Sequence, residues 1–397
     1  ATSSDKTKGQ PWWDLTLEVI ALVSLGFMAL GEINARFAPS PPAKTDERAL
    51  PVTDIPNLPL GEAKRLANNF YEAEAYGEAI PYFSRVLQLA PRDTEALFRR
   101  AAMGFHQIFT GEVLIMMHQR TIARNATQEH VEHRRHEDTE EGHAAYINGA
   151  TQILEKVKAA LDSQFNLKPK APLVVQRFER YREASETIAR YSPPASDGSR
   201  PGIYYVNLSN MKEMPIWQME VLAFHEGIPG HHMQIALAQE ATSLPAFRRH
   251  DMHTAYVEGW GLYSERLPKE LGFYEDPYSD FGRLSFELWR AIRLVLDTGI
   301  HVKKWSRRQA IDYFTRNTAF TREVAEREVD RYIVFPGQAC AYYIGLRKLL
   351  ELREKAKKEL GPSFDMKGFH DTILANGSMP LSVLEQVVDG WINGRKA

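Results

Sequence analysis

The densest chemistry in this chain lies in HEGIPGHHMQ, residues 225–234, where His225 and Glu226 stand side by side and His231 and His232 follow. Imidazoles bind divalent transition metals, and a neighbouring carboxylate is the group that accepts a proton from water during metal-assisted hydrolysis. A helical zinc motif of the HExxH kind needs its second His four residues after the first, on the same face. Here that position is Pro229. On an unbroken helix a residue six positions on lies about 120° off the face of His225 and about 9 Å along the axis; one seven positions on returns to the face about 10.5 Å away. Neither can share an ion whose Zn–N bonds are about 2.0–2.1 Å. Gly227, Pro229 and Gly230 are poor helix-interior residues, the proline alone costing about 3 kcal/mol. Their clustering predicts an interruption that folds His231 or His232 back beside His225.

A second set of candidates lies in AYVEGWGLYSERL, residues 255–267. Glu258 and Glu265 are seven residues apart, two turns along one helix face, among Val257, Trp260, Leu262 and Tyr263. A carboxylate from a second helix completes the site of several zinc peptidases. Glu226 would then act on the attacking water as general base. Cys340 is the sole cysteine, which excludes a disulfide framework and a cysteine zinc site. Any metal must be held by His and carboxylates.

The elements that position these groups read as mainly α with one small β element. From residue 171 onward, helical patterns cover about 214–227, 231–240, 251–270, 278–302, 306–316, 321–331 and 337–360. The Pro/Gly/Ser stretch 192–202 is a loop, and IYYVNLS (203–209) is β-branched and aromatic enough for a strand. An amphipathic helix is expected over 144–166. The charged, His-rich stretch carrying His118, His130, His133, His136 and His143 reads as a solvated helix.

Upstream lie a hydrophobic segment and Pro-rich linker (1–58) and a helical hairpin (59–110), before a helical domain at 111–397. In 60–93, Ala67, Phe70, Ala79, Phe83 and Pro91 occupy the packing positions of a tetratricopeptide repeat, which this hairpin resembles. A single repeat cannot bury its own face and must stack on something else. Residues 12–31 contain the uncharged run Val19–Gly31, short for a membrane span of about 20 residues. Membrane contact through 12–31 and a buried or surface-docked helix both remain open. The composition (44% hydrophobic, 25% charged) supports a substantial core, and a net charge of −2 gives no basic field for nucleic acid.

Four ordered blocks then carry a resemblance: HEGIPGHHMQ (225–234), YVEGWGLYSERL (256–267), RLVLDTGIHVKKWSRRQAIDY (293–313) and REVDRYIVFPGQACAYYIGLRKLLELR (327–353). A weaker match runs through PLVVQRFE…YSPPASDGSRPGIYYVN (172–207). The chain is similar to the bacterial "domain of unknown function 885" proteins, regarded as zinc-peptidase-like. The resemblance covers roughly 145–397. Members carry a longer helical region before the catalytic half than this chain does.

The resemblance implies His225, His231 and Glu258 as ligands of one zinc ion per chain, with Glu226 as base. His232 and Glu265 stand as alternative ligands or as supports behind them. It also implies that His301 and Tyr332 face the site and hydrogen-bond a tetrahedral oxyanion. His301 alternatively is a core histidine held by Asp297. Arg293 and Arg331 bind a substrate carboxylate or pair with local acids such as Asp297 and Asp330, and Gln338 orients a ligand. The expected function is zinc-dependent hydrolysis of a peptide or small amide. The alternative is a non-catalytic interaction protein with a structural or vestigial metal site. Neither the oligomeric state nor the choice among periplasm, membrane surface and cytoplasm is legible.

Overall fold

The computed structural model describes residues 54–72, 76–90 and 134–396, and the chain divides into two units, Ala1–Asp93 and Thr94–Ala397. The hydrophobic segment 12–31, most of the Pro-rich linker, Pro91, and His118, His130 and His133 lie outside the described residues.

In the first unit, helices α1 (Leu60–Glu72) and α2 (Tyr76–Leu89) form a hairpin. Ala67, Phe70, Ala79 and Phe83 are all buried, and the Phe70 and Tyr82 rings stack at 5.4 Å. The small side chains at 67 and 79 leave room between the helices for these rings.

The second unit is helical around a three-stranded sheet. Helix α3 (Glu140–Ala160) starts where Thr139 accepts a hydrogen bond from the Gly142 amide, and it buries Tyr146, Ala150, Leu154 and Val157 along one stripe. Strands β1 (Leu173–Arg177), β2 (Ala189–Ser192) and β3 (Gly202–Val206) follow in the order β1-β3-β2. β1 pairs parallel with β3, and β2 pairs antiparallel with it, Ala189 opposite Val206 and Ser192 opposite Ile203. The expected strand at 203–209 is thus the middle strand, shifted to 202–206, and two short strands flank it. GIYYV is buried at every position but one, as suits a strand with neighbours on both sides.

Ten further α-helices follow among the described residues. They are α4 (Met219–Glu226), α5 (His231–Glu240), α6 (Ala246–His250), α7 (Thr254–Glu270) and α8 (Pro277–His301), then α9 (Arg307–Asn317), α10 (Arg322–Val334), α11 (Gln338–Leu360), α12 (Met366–Leu374) and α13 (Leu381–Lys396). That makes the chain mainly helical, as expected. The helix expected from about 214 begins only at Met219, because Pro215 lies extended and a 3-10 turn over Ile216–Gln218 precedes it. The stretch expected as one helix from 251 starts at Thr254, after the separate short helix α6. Caps match the chemistry of their residues: Asp276 caps α8 ahead of Pro277, and Ser306 with Gln309 forms a capping box on α9.

Helices α7 and α11 cross with their backbones almost touching. A Cβ built on Gly259 would lie 2.4 Å from Gly345 Cα, and one on Gly345 would lie 1.9 Å from the Ala255 carbonyl oxygen. Only glycine at both positions permits this approach. The crossing sets α7, with its two glutamates, against the end of α4. Among the described residues no helix is long and apolar enough to cross a membrane.

Candidate metal centre

Helix α4 ends at Glu226, and α5 begins at His231, so the interruption expected from Gly227, Pro229 and Gly230 is present. The Ile228–Pro229 peptide bond is cis. Helix α7 holds the break in place: Trp260 Nε1 donates to the Pro229 carbonyl at 2.9 Å, and Ser264 Oγ donates to the same oxygen at 3.3 Å. A Cβ on Gly230 would sit 2.0 Å from the His225 carbonyl oxygen, so no other residue fits where the chain doubles back.

This fold brings His231, not His232, beside His225. Their rings meet edge to face with centroids 4.6 Å apart. Glu258 reaches both from α7, its Oε2 at 3.3 Å from His231 Nε2 and 3.6 Å from His225 Nε2. One donor atom from each of the three lies within 4.8 Å of the others. Gly261, one turn after Glu258, makes the room: a Cβ there would lie 2.7 Å from His225 Cε1 and 3.0 Å from His231 Cε1.

Glu265 stands behind the cluster instead of in it. Its Oε1 lies 2.8 Å from His225 Nδ1 and 2.9 Å from Arg290 Nη2. The carboxylate thus lies against Nδ1 at ion-pair distance, without hydrogen-bond geometry, while Nε2 faces Glu258. A carboxylate behind a ligating imidazole fixes ring orientation and raises its basicity. His232 has a different task. Its Nδ1 pairs with the Tyr191 hydroxyl at 3.0 Å and its Nε2 with the Ala171 carbonyl at 3.0 Å, tying α5 to β2 and to the segment before β1. Burial pulls its pKa down to about 4, so the ring is neutral near pH 7.

Burial opposes charge on Glu258, yet His225 and His231 outweigh it and hold the carboxyl well below its usual range. Burial likewise lowers His225, but Glu258 and Glu265 together raise it to about 9. Two imidazoles and one carboxylate are a donor set of catalytic zinc sites, which keep a fourth position open. The buried Glu258 Oε2 and His231 Nδ1 have no hydrogen-bond partner of good geometry. A cation between the three donors would satisfy that orphaned carboxylate oxygen, so the residues fit a divalent metal.

A cleft of about 270 Å³ opens on the cluster, lined by Glu226, His231, Glu258, Tyr191, Arg190 and Tyr342 among others. Glu226 therefore faces the same space as the three donors. Tyr342, from α11, stacks against His225 with centroids 6.3 Å apart. Its hydroxyl accepts from Gln338 Nε2 at 3.3 Å. Burial, reinforced by Glu258, raises its pKa, so the phenol keeps its proton near pH 7.

The structure does not bring the remaining expected residues into this cleft. His301 Nε2 pairs with the backbone carbonyl of Tyr332 at 2.8 Å, and Asp297 instead accepts from the Gly337 amide. The Tyr332 hydroxyl is buried, accepting from Arg293 Nε at 2.9 Å and from Trp289 Nε1 at 3.1 Å. Arg293 and Arg331 both pair with Glu328 at 3.0 and 2.8 Å, and Arg331 also donates to Gln338. These cations are spent on a buried acid that spacing did not single out, so neither is free for a substrate carboxylate. Asp330 pairs with Arg307. The network still reaches the cleft indirectly, since Gln338 passes it on to Tyr342. Tyr342, Arg290 and Tyr191 were not singled out as site residues, although the aromatic pair Tyr342–Tyr343 lies within the fourth block of the resemblance.

The family described as "Bacterial protein of unknown function (DUF885)" matches residues 100–388. A solved structure described as a "putative lipoprotein" from Colwellia psychrerythraea is 34% identical with a TM-score of 0.65, over 87% of this chain and 53% of that one. Another, titled a "putative lipoprotein of unknown function" from Shewanella oneidensis, is 21% identical with a TM-score of 0.61, covering 85% of this chain and 69% of that one; it supports the fold alone. The chain thus spans about half the length of the Colwellia protein. No curated protein matches.

Proposed function

The chain belongs to the bacterial DUF885 family, and from that premise we propose that it is a zinc-dependent hydrolase cleaving a peptide or small amide bond. The observation that carries this reading is the convergence of His225, His231 and Glu258 within 4.8 Å, with Glu226 lining the same cleft. A structural metal site has no need of Glu226.

A zinc ion held by His225, His231 and Glu258 would act as a Lewis acid, polarising the substrate carbonyl and acidifying water. Glu226 accepts the proton of the water that attacks the carbonyl carbon and returns it to the departing amine nitrogen as the C–N bond breaks. Tyr342, not His301 or Tyr332, donates a hydrogen bond to the oxygen that gains charge; its hydroxyl already accepts from Gln338 and keeps its own proton to give. Glu265 and Arg290 hold the His225 ring in line.

The description of the Colwellia relative as a lipoprotein supports a place outside the cytoplasm, at or near a membrane, with residues 12–31 as the contact. Helices α1 and α2 we read as a tetratricopeptide-like hairpin preceding the metallopeptidase-like domain. The test is zinc content after purification without chelator. The wild type and His232→Ala should carry about one ion per chain and His231→Ala should carry none. No zinc in the wild type, with none taken up on addition, ends the metal reading. Zinc without chelator-sensitive cleavage in a peptide-library digest leaves a structural site and ends the hydrolase reading.

A further inference from the structure

Beside the cleft lies a second, larger groove of about 490 Å³, walled by Ile188, Trp289, Val324, Val334 and Phe335. Thr187 lines both spaces, so they adjoin along the segment that leads into β2. Phe335 and Val334, at the end of α10, are 59% and 66% exposed, unusual for large apolar side chains next to a cavity. The charged groups at its base are already engaged: Glu328 with Arg331, Asp330 with Arg307, and Arg327 with Glu213. What remains free for a ligand is apolar surface.

The path between the two spaces is a strand edge. β2 pairs only with β3, so no strand covers its other side among the described residues, where Ala189 and Tyr191 line the cleft. The Asn207 amide donates to the Ile188 carbonyl, which makes Ile188, Arg190 and Ser192 the residues that hydrogen-bond to β3. Backbone groups alternate sides in an antiparallel ladder, so those of Ala189 and Tyr191 point to the open edge. Thr187 Oγ1 takes the Ala189 carbonyl, leaving the Ala189 amide and both groups of Tyr191 for a partner. An open edge beside a catalytic cleft can take an extended peptide as an added strand. From Tyr191 back to Thr187 is about 13 Å of extended chain, or about four residues.

Building on the hydrolase reading, we infer that the substrate is an extended peptide of several residues rather than a small amide. It lies along the open edge of β2 and seats one bulky apolar side chain in the groove under Phe335. The occupant is apolar because the groove's walls are, and peptidic because the route to it from Glu226 is a strand edge.

End-blocked hexalanine peptides carrying one Phe, moved position by position and labelled with dansyl, test this directly. One Phe position should raise kcat/KM by about 10-fold or more over hexa-alanine, and Phe335→Asp or Val334→Asp should bring that ratio close to one with zinc content unchanged. Both side chains are exposed, so neither change disturbs the core. A preference absent in the wild type, or surviving both substitutions, overturns the inference. Binding of the same peptides to zinc-loaded Glu226→Gln, read by fluorescence anisotropy, separates the two claims. Phe-dependent, Phe335-dependent binding by this variant, with no peptide cleaved by the zinc-loaded wild type, upholds the groove and refutes the hydrolase. Binding indifferent to Phe refutes the groove whatever the cleavage result.

Discussion

The proposed oxyanion role falls to Tyr342 rather than His301 on geometry. Tyr342 lines the cleft beside Glu226 and Glu258, whereas the His301 ring is committed to the Tyr332 backbone carbonyl. Tyr342→Phe should therefore lower kcat by about 100-fold with KM and zinc content nearly unchanged, while His301→Ala should leave kcat within a few-fold. Steady-state kinetics on one cleaved peptide decides between them; the opposite pattern returns the role to His301. The HE pair, the helix breakers in the next four positions and the glutamates of an apolar helix were local signals that marked the cluster, whereas the choice of His231 and Glu258 within it rested on the family resemblance. The roles of Glu265 and His232 were left open, since spacing alone cannot say which carboxylate oxygen faces a ring nitrogen and which faces a ligand. Arg293 and Arg331 looked available because their partner, Glu328, is drawn in by tertiary packing.

The break between α4 and α5 shows how far element boundaries follow from composition. Gly227, Pro229 and Gly230 announced it, and α7 stabilises it through Trp260 and Ser264. Less visible was Gly261, whose missing Cβ lets the histidine rings lie against α7. Gly261→Ala should leave the protein folded yet weaken zinc binding by about 10-fold or more, because the added methyl displaces both ligating rings. Titration with a zinc-competing dye measures it, and an unchanged affinity would show that the rings are placed by other contacts. Strands β1 and β2 were not anticipated: they are only five and four residues long, and β1 pairs with a strand far along the chain. Helices α12 and α13 were also not assigned, although Phe369, Ile373, Leu374, Leu384, Val388 and Ile392 are buried at helical spacing.

The buried ion network reports on the whole second unit, because Arg293, Glu328, Arg331 and Gln338 join α8, α10 and α11. Burial raises the Glu328 pKa, but Arg331 and Arg293 outweigh it and hold the carboxyl at about 2, below its unfolded value near 4.5. A depressed carboxylate contributes stability that is complete above the unfolded pKa and is lost as pH falls toward the folded one. Chemical denaturation should therefore show stability declining from about pH 4.5 toward pH 2, and Glu328→Gln should flatten that limb while lowering stability near pH 7 by about 3 kcal/mol. An unaltered acid limb in the variant would assign the decline to other carboxylates.

Whether Glu226 works on water beside a metal held by His225, His231 and Glu258 is tested most directly by a peptide-library digest with zinc-loaded wild type and zinc-loaded Glu226→Gln, read by mass spectrometry. The predicted result is cleavage by the wild type and a loss of about 10²–10⁴-fold in the variant at equal zinc content. Cleavage by the variant at the wild-type rate, or none by zinc-loaded wild type, would contradict it.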